Sequence, residues 1–334
     1  MEEIKLQTTQ SLVPPVYYRL SAVPENQFAY VHYGVRHPGS IFSIHLSDTL
    51  TAFNALALFL NNLQAGGNPC STEETEHLKS LTREFMFQLI NYFESGYEIF
   101  LCFCEKLEKP RPREPLYKWF AKNGYEAEIH PYFTGVNPEL ERYRNFFNAL
   151  KHSSNRTEIF QFINPGTSTK VLGFYLESVD EKGMIGPNLD FHPKHNDAGT
   201  AWSYNLHIRN FYFLIYKIAQ EMDAAVQRLC VREGVSLSFP SAPLVPTGIE
   251  ALSNAALVNT ASRFEGVFSV FYPQESTAQV KTVLLDPARG SIVFSEYVAG
   301  NKVISRGKGW GALMTTHGDG FSRSFSLPYG PQKP

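Results

Sequence analysis

Apolar positions spaced by three and four residues predict two helices in the first third of the chain. Ser47 and Asp48 offer an N-cap before the apolar run TLTAFNALALFLNNLQ, which stops at Gly66-Gly67. A capping-box sequence at 71–74, STEE, then begins a periodic pattern that continues to about residue 106. Before these helices, residues 1–46 alternate short apolar runs with Pro and Gly, which is typical of short strands or extended arms.

The middle of the chain has further helical patterns on both sides of a segment with β character. A short helix is predicted from Leu116 to Lys122, and Pro138 at a first-turn position predicts the start of a helix that ends at His152. EIFQFI and VLGFYLESV are typical of two strands joined by a turn at 164–166. Thr200 is placed to cap a long amphipathic helix that ends near Gly234.

The last quarter of the chain differs in pattern. Residues 238–248 contain three prolines and no strong charge, which indicates a linker, and alternating apolar runs follow. We therefore predict an α+β protein in three parts. These are an extended or β N-terminal segment (residues 1–46), a helical bundle with an inserted β-hairpin (residues 47–237) and a β-rich C-terminal region (residues 249–330).

Composition narrows the class of protein. With 334 residues, 43% of them hydrophobic, and a formal net charge of -2, the chain can bury a large core and has no overall attraction to nucleic acid. Its four cysteines lack a Cys-x-x-Cys spacing and are expected to be reduced and mostly buried. The acidic N-terminus does not resemble a signal peptide, and no uninterrupted apolar run approaches the ~20 residues of a membrane span. We expect a cytoplasmic protein that does not enter a membrane.

The strongest candidate chemistry lies on the helix that ends at His152. Asn145 and Asn148 precede His152 by seven and four positions, so on a helix the three side chains project within roughly 60° of one another. The phenylalanines between them are free to enter a core. A polar stripe beside an apolar face is what a small active site or nucleotide pocket can be built from.

This stripe, in the sequence RNFFNALKHS after an antiparallel helix pair, resembles the HEPN-like superfamily, whose helical bundles include many metal-independent ribonucleases. The resemblance covers roughly residues 47–235 and implies a homodimer that forms one cleft, with RNA or a nucleotide as ligand. It implies catalytic roles for His152, Asn148, Asn145 and Arg144, with the His as general acid or base and the Arg stabilising charge on phosphorus. Seven residues separate Arg144 from His152, one more than the family's spacing.

A basic stretch, KPRPREPLYKWFAKNGY, is the most concentrated positive charge in the chain. Most such runs are simply solvated, and the alternative is contact with phosphate groups. The RNA-binding candidates are Lys109, Arg111, Arg113, Lys118, Lys122 and Lys151.

Two polar loops are further candidate sites. Residues 190–197, DFHPKHND, hold two His and two Asp, but Pro193 and the absence of Cys favour a surface loop over a zinc site. His317 and Asp319 lie in a Gly-rich segment with no nucleophile elbow before it, which favours a tight turn. No phosphate-binding loop or dinucleotide fingerprint is present, so we expect neither a metal nor a cofactor.

Two functions therefore stand as hypotheses. The first is a HEPN-like metal-independent ribonuclease or nucleotide-binding protein of a toxin or defence type. The second is a non-enzymatic dimerisation and interaction module whose C-terminal β region binds a protein partner. The clustered polar stripe favours the first, and the position of Arg144 favours the second.

Overall fold

The computed structural model describes residues 2–5, 13–24, 30–66, 68–111, 113–152, 155–163, 170–179, 185–192, 201–237, 247–261, 278–286, 291–299, 313–316 and 322–325. In this part of the chain, long helices are accompanied by small antiparallel sheets. The α+β class predicted from the sequence is confirmed.

The elements follow one another in this order. Strand β1 (Glu2–Lys5) precedes helices α1 (Pro15–Ser21), α2 (Tyr30–Tyr33), α3 (Pro38–Ala65), α4 (Thr72–Leu101), α5 (Leu116–Lys122) and α6 (Glu126–His152). Next come β2 (Arg156–Ile163), β3 (Lys170–Val179), β4 (Ile185–Pro187), β5 (Trp202–Ser203), α7 (Tyr204–Arg232) and α8 (Thr247–Ala261). The described elements end with β6 (Ala278–Asp286), β7 (Ser291–Ala299), β8 (Leu313–Thr316) and β9 (Ser322–Phe325).

Helix α4 begins where the sequence predicts. The Ser71 hydroxyl accepts the Glu74 backbone N–H at 3.1 Å, and the Glu74 carboxylate accepts the Ser71 N–H at 2.7 Å. This complete capping box satisfies two N–H groups that no helical carbonyl can reach. Leu78, Phe85 and Phe93 then line one buried face, as their spacing predicts.

The extended N-terminal segment predicted for residues 1–46 was wrong over most of its described length, because 15–21, 30–33 and 38–46 are helical. The prolines that suggested strand boundaries occupy first-turn positions, where the missing N–H costs no hydrogen bond. The N-cap of α3 is His37, whose Nδ1 accepts the Gly39 N–H at 3.2 Å. Because α3 begins at Pro38, it is already three turns long at Asp48, where the sequence predicts its start.

Helix α6 also begins earlier than predicted, at Glu126, and Pro138 lies inside it rather than at its start. An interior proline costs about 3 kcal/mol because a helical hydrogen bond is lost. Buried side chains on both sides of Pro138, among them Tyr132, Val136, Leu140 and Tyr143, offset this cost by packing one continuous face against the core.

The core lies between four long helices. Helix α3 packs on α4 and α6 packs on α7, while α4 contacts both α6 and α7. Aromatic rings fill the space, as where Phe53 of α3 meets Phe85 and Tyr212 at centroid distances of 5.5 and 5.7 Å. Helix α1 joins through Arg19, whose Nε lies 2.6 Å from the carboxylate of Asp223 on α7.

The predicted hairpin is confirmed as the antiparallel pair β2–β3, with register from Arg156↔Glu177 to Ile163↔Lys170. Strands β4 and β5 both pair with β3. The buried ammonium of Lys79 joins α4 to β2, since its Nζ lies 2.7 Å from the carboxylate of Glu158. The predicted turn at 164–166 lies outside the described residues.

Residues 249–261 are helical, which corrects the predicted start of the β-rich region. Four alanines and two leucines in TGIEALSNAALVNTA favour a helix. Helix α8 packs on α3, where the Asn54 amide donates to the Leu252 carbonyl at 2.9 Å.

Farther on, β7 pairs with β6 and β1, and β8 pairs with β9, all antiparallel. The loop holding His317 and Asp319 is outside the described residues.

Helix α3 is long and apolar enough, by length and composition alone, to cross a membrane. Half of its most apolar 18-residue window is buried inside the protein. Core helices of globular proteins meet the same criterion, so this feature is weak evidence for a membrane span.

A single glycine allows α6 to lie close to α4. A Cβ atom at Gly96 would lie 2.7 Å from the hydroxyl oxygen of Tyr132, well inside van der Waals contact. The Tyr132 ring is fully buried and stacks on Phe93 at a centroid distance of 4.9 Å, and its hydroxyl donates to the Phe93 carbonyl at 2.7 Å. The absence of a side chain at 96 therefore makes room for this aromatic contact between the two helices.

We predict that Gly96→Ala lowers the free energy of unfolding by about 1–3 kcal/mol, because the new methyl group must displace the Tyr132 ring. This loss should occur even though Ala is the better helix former by about 1 kcal/mol. Urea unfolding measures it. In a Tyr132→Leu background, where the space is open, the same substitution should be neutral or stabilising, and an equal loss in both backgrounds would contradict the close contact.

Candidate functional site

A cavity of about 820 Å³ lies between α3, α4, α5 and α6. Its size suits a small organic molecule. The aromatic side chains of its lining are Phe93, Tyr97, Tyr117, Phe120 and Phe133. The ionisable side chains, apart from the tyrosines, are His45, Glu94, Glu98, Glu126, His130 and Arg144. We call this space the α3–α6 cavity.

The aromatic side of the cavity is held in place by contacts behind it. Phe93 and Tyr97 are one turn apart on α4 and meet edge to face at 6.0 Å. Phe120 of α5 lies 6.3 Å from Tyr97 and is backed by Trp119 at 5.3 Å. The Trp119 indole N–H donates to the Glu108 carbonyl at 3.0 Å. This bond fixes α5 to the connector between α4 and α5, residues 102–115.

The connector itself is anchored to α2. Nε2 of His32 lies 2.8 Å from the Leu107 carbonyl oxygen, and the Tyr33 hydroxyl donates to the Glu105 carbonyl. Because α2 binds the connector and the connector binds Trp119, α2 contributes to the position of α5.

The polar groups of the cavity lie mostly toward solvent. Glu94, Glu98, Glu126 and His130 are exposed, whereas Tyr97 is 9% exposed. Burial raises the pKa of Tyr97 to about 12, and the nearby Arg144 opposes this shift, so the phenol is neutral at physiological pH. The deep part of the cavity is therefore aromatic and neutral, and its charge is concentrated at the rim.

Arg144 is the only candidate catalytic residue from the sequence whose described side chain lines this cavity. Its guanidinium is half-buried, 4.0 Å from the Glu94 carboxylate and 5.8 Å from the centroid of the Phe93 ring. Asn145 and Asn148 are exposed and do not line the cavity. The side chain of His152 lies outside the described part, so the structure does not test the predicted stripe at its last position.

The predicted RNA-binding residues are all exposed: Lys109, Arg111, Arg113, Lys118, Lys122 and Lys151. None of the six lines the α3–α6 cavity. Lys118 lies 5.9 Å from the ring centroid of its neighbour Tyr117, and Lys151 lies 4.4 Å from that of Phe147. These positions are equally suited to contact with phosphate groups and to ordinary solvation.

Two buried histidines form a second polar cluster, which the sequence patterns did not indicate. His192 and His207 both pack against Trp202, at ring-centroid distances of 4.9 and 5.0 Å, and both are at most 2% exposed. Tyr143 accepts the Asn210 amide at 2.8 Å and lies 2.6 Å from Nδ1 of His207. The Leu176 N–H donates to Nε2 of His192 at 3.0 Å. A neutral His192 therefore carries its proton on Nδ1.

This arrangement bears on the predicted loop at 190–197. Asp190 is exposed and His192 is buried, so these two side chains do not face one site, and residues 193–197 lie outside the described part. Among the described residues, no group of three potential metal-ligating side chains occurs.

Comparison with known proteins finds no matching family, no similar curated protein and no similar solved structure.

Burial, together with the nearby charge of Arg142, lowers the pKa of His192 to about 3. The same two causes, with His192 itself, hold the pKa of His207 well below its usual range. In the unfolded chain a histidine titrates near 6.5. Between these values the unfolded state binds more protons than the folded state, so stability falls as pH falls. It is fully present above about pH 6.5 and decreases toward pH 3.

We predict that the free energy of unfolding falls steeply between pH 6.5 and 4.5, with each buried imidazole contributing up to about 1.4 kcal/mol per pH unit. Chemical unfolding at a series of pH values measures this slope. His192→Gln, whose amide oxygen can still accept the Leu176 N–H, should reduce the slope by about one proton. His130→Gln, at an exposed position, is the matched control and should leave the slope unchanged. A flat profile in the wild type would contradict the buried neutral state.

Proposed function

We propose that this protein binds a small organic molecule in the α3–α6 cavity. The observation that carries the proposal is a solvent-open cavity that combines five aromatic side chains with a few ionisable groups at its rim. Ligand sites in proteins commonly have this composition, because apolar walls supply contact area and a small number of polar groups set the orientation. The cavity joins residues from four helices, and the packing that forms it supports a preformed site.

Of the catalytic candidates from the sequence, Arg144 lines the cavity and is proposed to contact the ligand, whereas Asn145 and Asn148 lie outside this site. Flat ligands suit the lining, since Tyr97, Phe120 and Phe133 offer ring faces and edges from three different helices. A nucleobase is one ligand with this shape. The buried Tyr97 hydroxyl offers a neutral hydrogen-bonding group beside the rings.

Filling the cavity tests this proposal. Ala121 lines the cavity from α5 and is exposed, so Ala121→Trp should occupy the cavity with little effect on the fold. We predict that small aromatic fragments bind the wild type in ligand-observed NMR, and that Ala121→Trp weakens them about 10-fold or more by removing contact area. Ala127→Trp, exposed on α6 outside this cavity, is the control and should bind like the wild type. Fragment binding that is absent, or that survives Ala121→Trp, would sink the proposal.

A second proposal is metal-independent RNA cleavage by a HEPN-like homodimer. It is favoured by the exposure of Asn145, Asn148 and Lys151 along consecutive turns of α6, a face that a second copy or an RNA strand can reach. Here α3, α4, α6 and α7 are the HEPN-like bundle, and His152 is the general acid or base. The β-rich C-terminal region, with strands β6 to β9, would bind a protein partner.

Cleavage of a mixed RNA pool in EDTA tests the second proposal. We predict that His152→Ala lowers the cleavage rate by about 10²–10⁴-fold, the usual contribution of a general acid or base. His130→Ala, the exposed histidine elsewhere on α6, serves as the control and should cut like the wild type. Equal cutting by His152→Ala and wild type would indicate a contaminating nuclease. If the folded wild type does not cut RNA, the non-enzymatic interaction module replaces the ribonuclease as the second proposal.

A further inference from the structure

We infer that the α3–α6 cavity takes an organic cation, a ligand that carries an amine or ammonium group on a flat apolar body. This inference rests on the proposed small-molecule site and specifies its chemistry. Two observations carry it, the charge of the rim and the aromatic lining beneath it.

The charged groups of the rim come from two helices, and negative charge prevails. Helix α4 contributes Glu94 and Glu98, one turn apart, and α6 contributes Glu126 and Arg144. Three carboxylates and one guanidinium give a net formal charge of -2. The histidines of the lining are His45 on α3 and His130 on α6. Lys118 of α5 does not line the cavity, and its ammonium lies 5.9 Å from the ring centroid of Tyr117.

The one guanidinium is already engaged. Arg144 lies 4.0 Å from the Glu94 carboxylate, so these two charges largely offset one another. In the described part of the chain, Glu98 and Glu126 form no ion pair. A bound anion would meet these two carboxylates, whereas a cation would gain from both.

The aromatic lining favours the same ligand. The face of an aromatic ring is negative, and it attracts a cation within about 6 Å of the centroid. Phe93 is already stacked on Tyr132 and lies 5.8 Å from the Arg144 guanidinium, so it supports the lining from behind. Tyr97 and Phe120, with centroids 6.3 Å apart, and the exposed Tyr117 are the rings that face the ligand. The flat body of the ligand packs against these rings, and its charged group is within reach of the rim carboxylates.

Three indoles that share one ring system and differ in charge test this inference. They are tryptamine, which is a cation, indole-3-ethanol, which is neutral, and indole-3-acetate, which is an anion. Calorimetric titration of the full-length protein should give tryptamine an affinity about 10-fold higher than that of indole-3-ethanol, with indole-3-acetate the weakest. The advantage of tryptamine should shrink in 0.5 M NaCl, since exposed charges are screened there.

The double variant Glu98→Gln/Glu126→Gln should bring tryptamine to within about twofold of indole-3-ethanol. Its control is Glu73→Gln/Glu84→Gln, which changes the net charge equally at exposed positions of α4 outside the cavity. This control should keep the full preference for tryptamine. The salt dependence of the wild type provides an independent reading if the first variant does not fold.

The outcomes separate the two proposals. Equal affinity for tryptamine and indole-3-ethanol, or tighter binding of indole-3-acetate, would overturn the cation inference while the small-molecule site stands. A preference for tryptamine that persists in Glu98→Gln/Glu126→Gln would overturn it as well. Failure of all three indoles, together with fragments that ignore Ala121→Trp, would remove the site itself.

Discussion

The close packing of α4 against α6 is the constraint on which the cavity and the core both depend. A Cβ atom at Gly96 of α4 would clash with Tyr132 of α6, so the close approach of the two helices requires glycine there. The stacked rings of Phe93 and Tyr132 fill the junction. Helix α5 contacts both α4 and α6, and the α3–α6 cavity lies beside this junction. Helices α4 and α6 also carry Phe85 and Tyr143 into contact with Phe211 of α7. A shift of α6 would therefore change both the lining of the cavity and the aromatic core.

Polar groups inside this aromatic core join neighbouring elements to one another. Lys79 joins α4 to β2, Arg19 joins α1 to α7, and the Tyr143–His207 contact joins α6 to α7. Each of these contacts costs desolvation, which the close approach of its partners offsets in part. Buried tyrosines such as Tyr97 have raised pKa values, and His192 has a lowered one. Thus burial keeps these groups neutral, which is the form that an apolar interior tolerates.

Local signals in the sequence were sufficient where a helix or strand depends on its own residues. The capping box at Ser71 and the apolar alternation of β2 and β3 are signals of this kind. Prolines were ambiguous, since Pro38 starts a helix and Pro138 is tolerated inside one because of packing that no local pattern reveals. The cavity could not be predicted, because its lining runs from His45 to Arg144 and forms only when four helices assemble. Of the polar face on α6, the sequence correctly indicated that Asn145 and Asn148 avoid the core.

The ion pair between Arg19 and Asp223 joins residues 204 positions apart in the chain. On a ribosome that adds about 5–20 residues per second, α1 would wait roughly 10–40 s before its partner helix is made. During that interval the apolar residues that α1 buries in the finished fold, Val16, Tyr17, Tyr18 and Leu20, have no completed core to enter. Vectorial synthesis therefore lets α1 complete its contacts only after α7 has been made, whereas α3, the other helix that it packs against, is made much earlier.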